Sequence, residues 1–173
     1  MKIILIVASV FFLANGCKTN NKVTSESSDS METNEISAAG NNKNAKLMLN
    51  SSYDVMEDTI GKYYISKKDG DSTVFEYTLS EKGEEGLADA YYGETVIFEF
   101  TDDMLPLSLS NDQLDKVKLM SSKHCKCPDA GYYKVEKGNL SVSKKGEEYS
   151  IALTFNVEGV DQKLSTINSK LKK

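Results

Sequence analysis

The sequence predicts an all-β domain, either an antiparallel β-sandwich or a small β-barrel with at most one short helix. The strongest observation is the strict alternation over residues 149–157, where large apolar side chains occupy every second position. Such alternation is typical of a strand that buries one face in an antiparallel sheet. In addition, short apolar segments recur at regular spacing between turns that contain Gly, Asp and Lys, which favours a sandwich or a barrel.

The first two predicted strands cover residues 63–65 and 74–79, which are rich in aromatic and β-branched side chains. The Asp69-Gly70 pair between them is a frequent hairpin turn, so the two strands are expected to pair with each other. The next predicted strand covers residues 93–100 and places a valine and two phenylalanines on one face.

One short helix is predicted after these strands. Ser110 and Gln113 have the spacing of a capping box, and Leu114, Val117 and Met120 follow on one helical face. The alternative is that these residues continue as a strand.

The C-terminal part is predicted to form a strand followed by a three-strand meander. Turn signals at residues 144–147 and 158–159 separate the strands of the meander. The predicted strands cover residues 132–135, 139–143, 149–157 and 160–167. The lysine-rich end, residues 170–173, is expected to be solvated.

Residues 17–46 differ in composition from the part that follows. They are rich in Ser, Thr, Asn and Glu and contain no aromatic residue. Such a segment buries too little apolar surface to offset its loss of conformational entropy. We therefore expect a disordered stalk over residues 17–46 and a single β-rich domain over residues 47–173.

The first sixteen residues have the three parts of a secretory signal. Lys2 is followed by an uncharged apolar run over residues 3–13 and by small or turn-forming residues before Cys17. The run is shorter than the about 20 residues that a membrane-spanning helix needs. The segment resembles the signal peptide of bacterial lipoproteins, although Leu13 stands one position earlier than usual. The resemblance implies cleavage after residue 16 and acylation of Cys17 with chains such as palmitate.

The same resemblance implies where the protein works. Two acyl chains suffice for stable anchoring, so the protein is expected to be held at a membrane of the cell envelope. Lys18 follows the cysteine, and bacterial lipoproteins that stay in the inner membrane often carry Asp there. The resemblance thus favours the outer membrane over the inner one and leaves the leaflet open.

Composition argues against one class of partner. The net charge is -5, and the sequence contains no arginine. Arginine is the preferred side chain for bidentate contacts to phosphate and guanine. Because an acidic chain without arginine is poorly suited to polyanions, nucleic acid is not an expected partner.

The chemically distinctive patch contains His124, Cys125 and Cys127, with Met120 nearby. Three alternatives stay open for it. An oxidising compartment favours a disulfide between Cys125 and Cys127, which needs a bend because residues i and i+2 of a strand are at the limit of disulfide reach. The flanking basic side chains would stabilise the thiolate of a redox-active pair. Finally, Met120, His124, Cys125 and Cys127 together suit Cu(I) or Zn²⁺.

The sequence carries no signature of a known catalytic class. There is no Gly-x-Ser-x-Gly nucleophile motif and no phosphate-binding Gly loop, so no catalytic residue is predicted. Whether the protein is an enzyme stays open, and the pattern favours a non-enzymatic envelope lipoprotein. Its β-domain would bind a protein, a glycan or a small ligand, with no cofactor besides the lipid. The alternative is a protein that handles redox equivalents or a soft metal, Cu or Zn, through the patch.

Overall fold

The computed structural model describes residues 34–38, 41–82 and 91–172, with side chains from residue 42 onward. In this part of the chain nearly all regular structure is β, so the predicted fold class is confirmed. The strands form two antiparallel sheets that pack against each other in a sandwich-like fold. None of the helices in these ranges has the length and apolar character of a membrane-spanning segment.

The larger sheet has eight strands. They are β1 (Asn34–Ala38), β2 (Asn41–Met48), β3 (Ser51–Glu57), β4 (Tyr63–Asp69), β5 (Thr73–Glu81), β6 (Tyr92–Phe100), β8 (Met120–His124) and β9 (Gly131–Lys134). Their order across the sheet is β1-β2-β5-β6-β8-β9-β4-β3. The smaller sheet consists of β7 (Leu107–Ser110), β10 (Lys137–Lys145), β11 (Glu148–Asn156) and β12 (Thr166–Lys172), in the order β12-β11-β10-β7.

The main core lies between the two sheets. Phe75 of β5 packs against Phe98 of β6, with ring centroids 5.0 Å apart, and Phe100 meets Tyr149 of the smaller sheet edge-on. The alternation predicted for residues 149–157 is confirmed, because its aromatic and aliphatic side chains are buried while Ala152 and its polar neighbours face outward.

A second, smaller cluster covers the other face of the larger sheet. It consists of Tyr53, Val74, Ile97 and Met120, from four different strands. The hydroxyl of Tyr53 donates to the carbonyl oxygens of Ile97 and Lys118, which ties β3 across that face. Met120 therefore belongs to a strand and to this cluster, and not to the predicted helical face.

The predicted capping box is present. The Gln113 side chain accepts the Ser110 backbone N–H at 3.1 Å, and the Ser110 side chain caps the N–H of Gln113 in return. The segment it begins, Asn111–Val117, is a 3-10 helix that buries Leu114 and Val117. A further 3-10 turn lies at Asp102–Met104.

The predicted hairpin at Asp69-Gly70 is wrong. β4 pairs with β3 and β9, whereas β5 lies between β2 and β6. At Gly70 the chain passes close to β3. The Gly70 N–H donates to the Asn50 carbonyl oxygen, and a Cβ at residue 70 would lie only 2.7 Å from the Cβ of Ser52. The glycine lets the chain pass β3 on its way from one part of the sheet to another.

The last predicted strand is displaced towards the C-terminus. β12 covers Thr166–Lys172, so the predicted strand 160–167 is mostly loop. Gln162 holds this loop in place, because its side chain accepts the N–H of Val157 and donates to the carbonyl of Leu164. The end of the chain is not merely solvated, since Leu171 is 1% exposed in the core.

The predicted start of the domain at residue 47 also requires correction. β2 begins at Asn41 and pairs with β5 over its whole length, and Ala45 is buried beside Leu47. A polar strand is accommodated here because only every second side chain faces the core. The signal peptide, Cys17 and most of the predicted stalk lie outside the described residues.

Candidate functional site

The predicted cysteine patch lies in the loop between β8 and β9. Cys125 and Cys127 are joined as a disulfide in the structure, with Cα atoms 5.3 Å apart. This agrees with the first of the three alternatives. The bend that such a disulfide requires lies at residues 125–127 themselves, and a turn follows in which the Ala130 N–H donates to the Cys127 carbonyl.

The other two predicted metal ligands are not assembled around the cysteines. Met120 is 1% exposed at the far end of β8, about 13 Å of extended chain from His124. The Nε2 atom of His124 lies 2.9 Å from the Ser122 hydroxyl, and its ring meets Tyr132 edge-on. The strand thus directs Met120 and His124 to neighbours on the sheet.

A carboxylate takes their place beside the cysteines. Within the described ranges, the group of three metal-binding side chains that comes together is Cys125, Cys127 and Asp129, with ligand atoms all within 4.8 Å of one another. Asp129 had no sequence signal of its own, because Asp after a Pro in a turn is ordinary. The curvature of the loop brings the Asp129 carboxylate close to the two sulfur atoms.

The loop is anchored by a buried lysine. The Lys123 side chain is 7% exposed, and its Nζ lies 2.7 Å both from Asp129 Oδ2 and from the carbonyl oxygen of Asp161. The hydroxyl of Tyr133 donates to the Asp129 carbonyl at 2.8 Å. The hydrogen bond from Lys123 holds the pKa of Asp129 below its usual value. These contacts position the loop without involving either sulfur atom.

A second buried charge closes the same end of the sandwich. Glu94 is the cross-strand partner of Lys123 and is 2% exposed. Its carboxylate accepts the backbone N–H groups of Lys163 and Leu164, both at 2.6 Å, and the hydroxyl of Tyr92. Burial and the hydrogen bond to Glu94 raise the pKa of Tyr92. The carboxylate therefore holds the loop before β12 against the larger sheet.

The outward face of the smaller sheet has a different chemistry. We call it the hydroxyl face. Its side chains form rows across the strands: Ser108, Ser141, Ala152 and Asn168; Ser110, Asn139, Thr154 and Thr166; and Ser143, Ser150 and Lys170. Lys170 is charged, and the next row of the same face consists of the charged residues Lys145, Glu148 and Lys172. The uncharged part of the face is therefore its middle rows.

The hydroxyl face is also shallowly indented. Two depressions of about 400 and 280 Å³ lie over its rows, with Ala152 lining both of them. All of these side chains are exposed except Ser150, which is half-buried. The Ser110 hydroxyl donates to Asn139 Oδ1 at 2.9 Å, which orders the amide at one edge of the face.

The outer face of the larger sheet carries ion pairs beside the smaller apolar cluster. Lys46 and Lys67 both contact the carboxylate of Glu76, and Lys118 pairs with Glu99 at 2.7 Å. Burial raises the pKa of Glu76, but the two lysine hydrogen bonds outweigh it, so that the pKa lies below its usual value. The uncharged middle rows of the hydroxyl face differ in kind from this surface.

One further hollow lies where β4 and β9 meet. The two strands pair only at Tyr63 and Tyr132, and a hollow of about 370 Å³ opens beside this junction. The Lys134 ammonium stands 5.1 Å from the centre of the Tyr63 ring. Because the lysine covers this ring face, Tyr63 does not present a free stacking surface here.

The sequence indicated only part of the hydroxyl face. The alternation of β11 predicted that Ser150, Ala152 and Thr154 point outward. The neighbours from β7, β10 and β12 could not be assigned, since the register between strands decides which side chains share a row. No protein-family model matches the chain, and no curated protein or solved structure is significantly similar to it.

Proposed function

We propose that the protein is a lipid-anchored, non-enzymatic binding module of the bacterial envelope, and that its hydroxyl face binds neutral polysaccharide. The observation that carries this proposal is the continuous array of Ser, Thr and Asn side chains in the middle rows of this face, with a charged row at one end. Hydroxyl and amide groups both donate and accept hydrogen bonds, as the hydroxyls of a sugar do. Because a neutral sugar carries no charge, it does not need charged side chains in the surface that binds it.

The side chains of this face favour a glycan over a protein. The centres of protein–protein interfaces are enriched in Tyr, Trp, Phe, Met and Arg and depleted in Ser. The rows of the hydroxyl face contain none of the enriched types. A protein partner would therefore find no large side chain to bury, whereas a sugar chain needs only a flat surface of polar groups.

Binding at a single site is expected to be weak. Each hydrogen bond exchanged with water contributes only about 0.5–1.5 kcal/mol, and no aromatic ring of this face adds stacking energy. The predicted lipid on Cys17 compensates, because many copies on one membrane would contact one polymer together and gain avidity.

The environment of three of the described acids supports a non-enzymatic protein. Glu94 and Glu76 are engaged by backbone N–H groups or by lysines. Asp102 accepts the Tyr149 hydroxyl at 3.0 Å and pairs with Lys144. The single histidine, His124, contacts Ser122 and Tyr132. These groups have structural partners, which leaves binding as the function that the geometry supports best.

Retention of the protein on insoluble neutral polysaccharides tests the proposal. We expect the chain to be retained on at least one of cellulose, chitin and β-1,3-glucan. Ala152→Arg places a long charged side chain in the middle of the hydroxyl face and should weaken retention by at least about tenfold, which corresponds to about 1.4 kcal/mol.

Ser66→Arg is the matched control for this experiment. Ser66 is also an exposed strand residue, but it lies on β4 of the other sheet, and its substitution should leave retention unchanged. The proposal fails if none of the three polymers retains the protein, or if the two variants are retained equally.

A further inference from the structure

We infer that the loop between β8 and β9 has a second, reduced state, in which Cys125, Cys127 and Asp129 bind one soft metal ion such as Zn²⁺. The placement of two sulfur atoms and one carboxylate oxygen within 4.8 Å of one another carries this inference. Thiolate ligands select Zn²⁺ and Cu(I) over Mg²⁺ and Ca²⁺, which prefer oxygen. The ligand set differs from the predicted one, since Asp129 replaces Met120 and His124.

Asp129 is held in place independently of the disulfide. Lys123 contacts Asp129 and the Asp161 carbonyl, the Asp161 N–H donates to Asp129, and Tyr133 donates to the Asp129 carbonyl. None of these contacts involves sulfur, so they persist after reduction. Metal binding to a loop that is already positioned loses less conformational entropy than binding to a free one.

The charges of the three ligands and of Lys123 together balance the charge of a divalent cation. Two thiolates and one carboxylate carry one negative charge more than Zn²⁺ neutralises. The Lys123 ammonium, 2.7 Å from Asp129, supplies the remaining positive charge. Three protein ligands leave one position of a tetrahedral ion for water, as at the open zinc sites of proteins.

The two states are connected by thiol–disulfide exchange with an external dithiol. The dithiol transfers two electrons and two protons to the Cys125–Cys127 bond, which breaks to give two thiols while the dithiol is oxidised to its own disulfide. The metal ion then displaces the two thiol protons and forms two metal–sulfur bonds. Oxidation reverses both steps and releases the metal.

Titration with Cd²⁺ tests the inference directly, because cadmium–thiolate bonds absorb in the ultraviolet. The full chain is used in detergent with Cys17→Ser, which leaves Cys125 and Cys127 as its cysteines. It is reduced with a phosphine, which is removed before the titration. We expect one Cd²⁺ per reduced chain, release of about two protons per metal ion, and no charge-transfer band from the oxidised chain.

Variants distinguish this ligand set from the alternatives. Cys127→Ser should abolish the band, and Asp129→Asn should weaken binding by at least about tenfold. His124→Ala is the matched control and should leave the affinity unchanged. Circular dichroism shows whether Asp129→Asn still folds, and Asp129→Glu, which keeps the carboxylate, should bind more tightly than Asp129→Asn.

Three results would overturn the inference. The first is a reduced chain that binds no Cd²⁺, and the second is an oxidised chain that binds it as tightly as the reduced one. The third is loss of binding in His124→Ala with full binding in Asp129→Asn, which would return the histidine to the ligand set. None of these results depends on the polysaccharide proposal, because no ligand residue lies on the hydroxyl face.

Discussion

At the scale of single residues, Glu94 decides how one end of the sandwich is closed. It is a charged side chain that is 2% exposed, and two backbone N–H groups of the loop before β12 point at its carboxylate. A buried carboxylate is tolerated when several donors satisfy its oxygens. The adjacent sequence gives no indication of this role, because the donors come from residues some seventy positions later.

Substitution of Glu94 tests this account. Glu94→Ala leaves the N–H groups of Lys163 and Leu164 without their acceptor, and we expect the free energy of unfolding to fall by about 3 kcal/mol. Glu94→Gln keeps one carbonyl acceptor and should lose clearly less. Urea denaturation measures both values. If Glu94→Ala unfolds at the urea concentration of the unmodified chain, the carboxylate does not hold the loop.

At the scale of elements, β2 shows how composition alone mislocates a boundary. Its sequence is polar and rich in Asn and Lys, like the predicted stalk before it. Pairing with β5 turns Ala45 and Leu47 to the core and places Lys46 beside Glu76. A strand requires only one apolar face, and whether a short polar segment has one depends on the strand beside it.

Truncation at the two candidate boundaries separates the alternatives. A chain that begins at residue 34 retains β1 and β2 and should unfold cooperatively. A chain that begins at residue 47 exposes one edge of β5 and loses Ala45, so its free energy of unfolding should be lower by at least about 2 kcal/mol. Equal urea midpoints for the two chains would show that the domain begins at residue 47 after all.

At the scale of the whole molecule, the two outer surfaces of the sandwich are chemically distinct. One carries lysine–carboxylate pairs beside the smaller apolar cluster, and the other, the hydroxyl face, has uncharged Ser, Thr and Asn side chains in its middle rows. Surface ion pairs contribute little to stability, so this difference is not explained by folding energetics. It is the reason for assigning ligand binding to the middle rows of the hydroxyl face.

The predicted lipid anchor belongs to this scale too, because it sets where the whole domain acts. Expressed in a bacterium that processes lipoproteins, the protein should sediment with membranes and partition into detergent. Cys17→Ser removes the acylated sulfur and should transfer the protein out of the lipid-anchored fraction, whereas Ser25→Ala in the same polar segment should not. Equal partitioning of the two variants would exclude the anchor.

The sequence by itself determined the fold class, the strands with strict alternation and the capping box at Ser110. These features depend on periodicity and on contacts between residues close in the chain, which a sequence displays directly. The tertiary structure alone decided the pairing of β4 with β3, the buried role of Glu94, the place of Asp129 and the rows of the hydroxyl face. Each of these depends on strand register and loop paths between distant residues, and a change of one residue in register would turn every side chain of a strand to the opposite face.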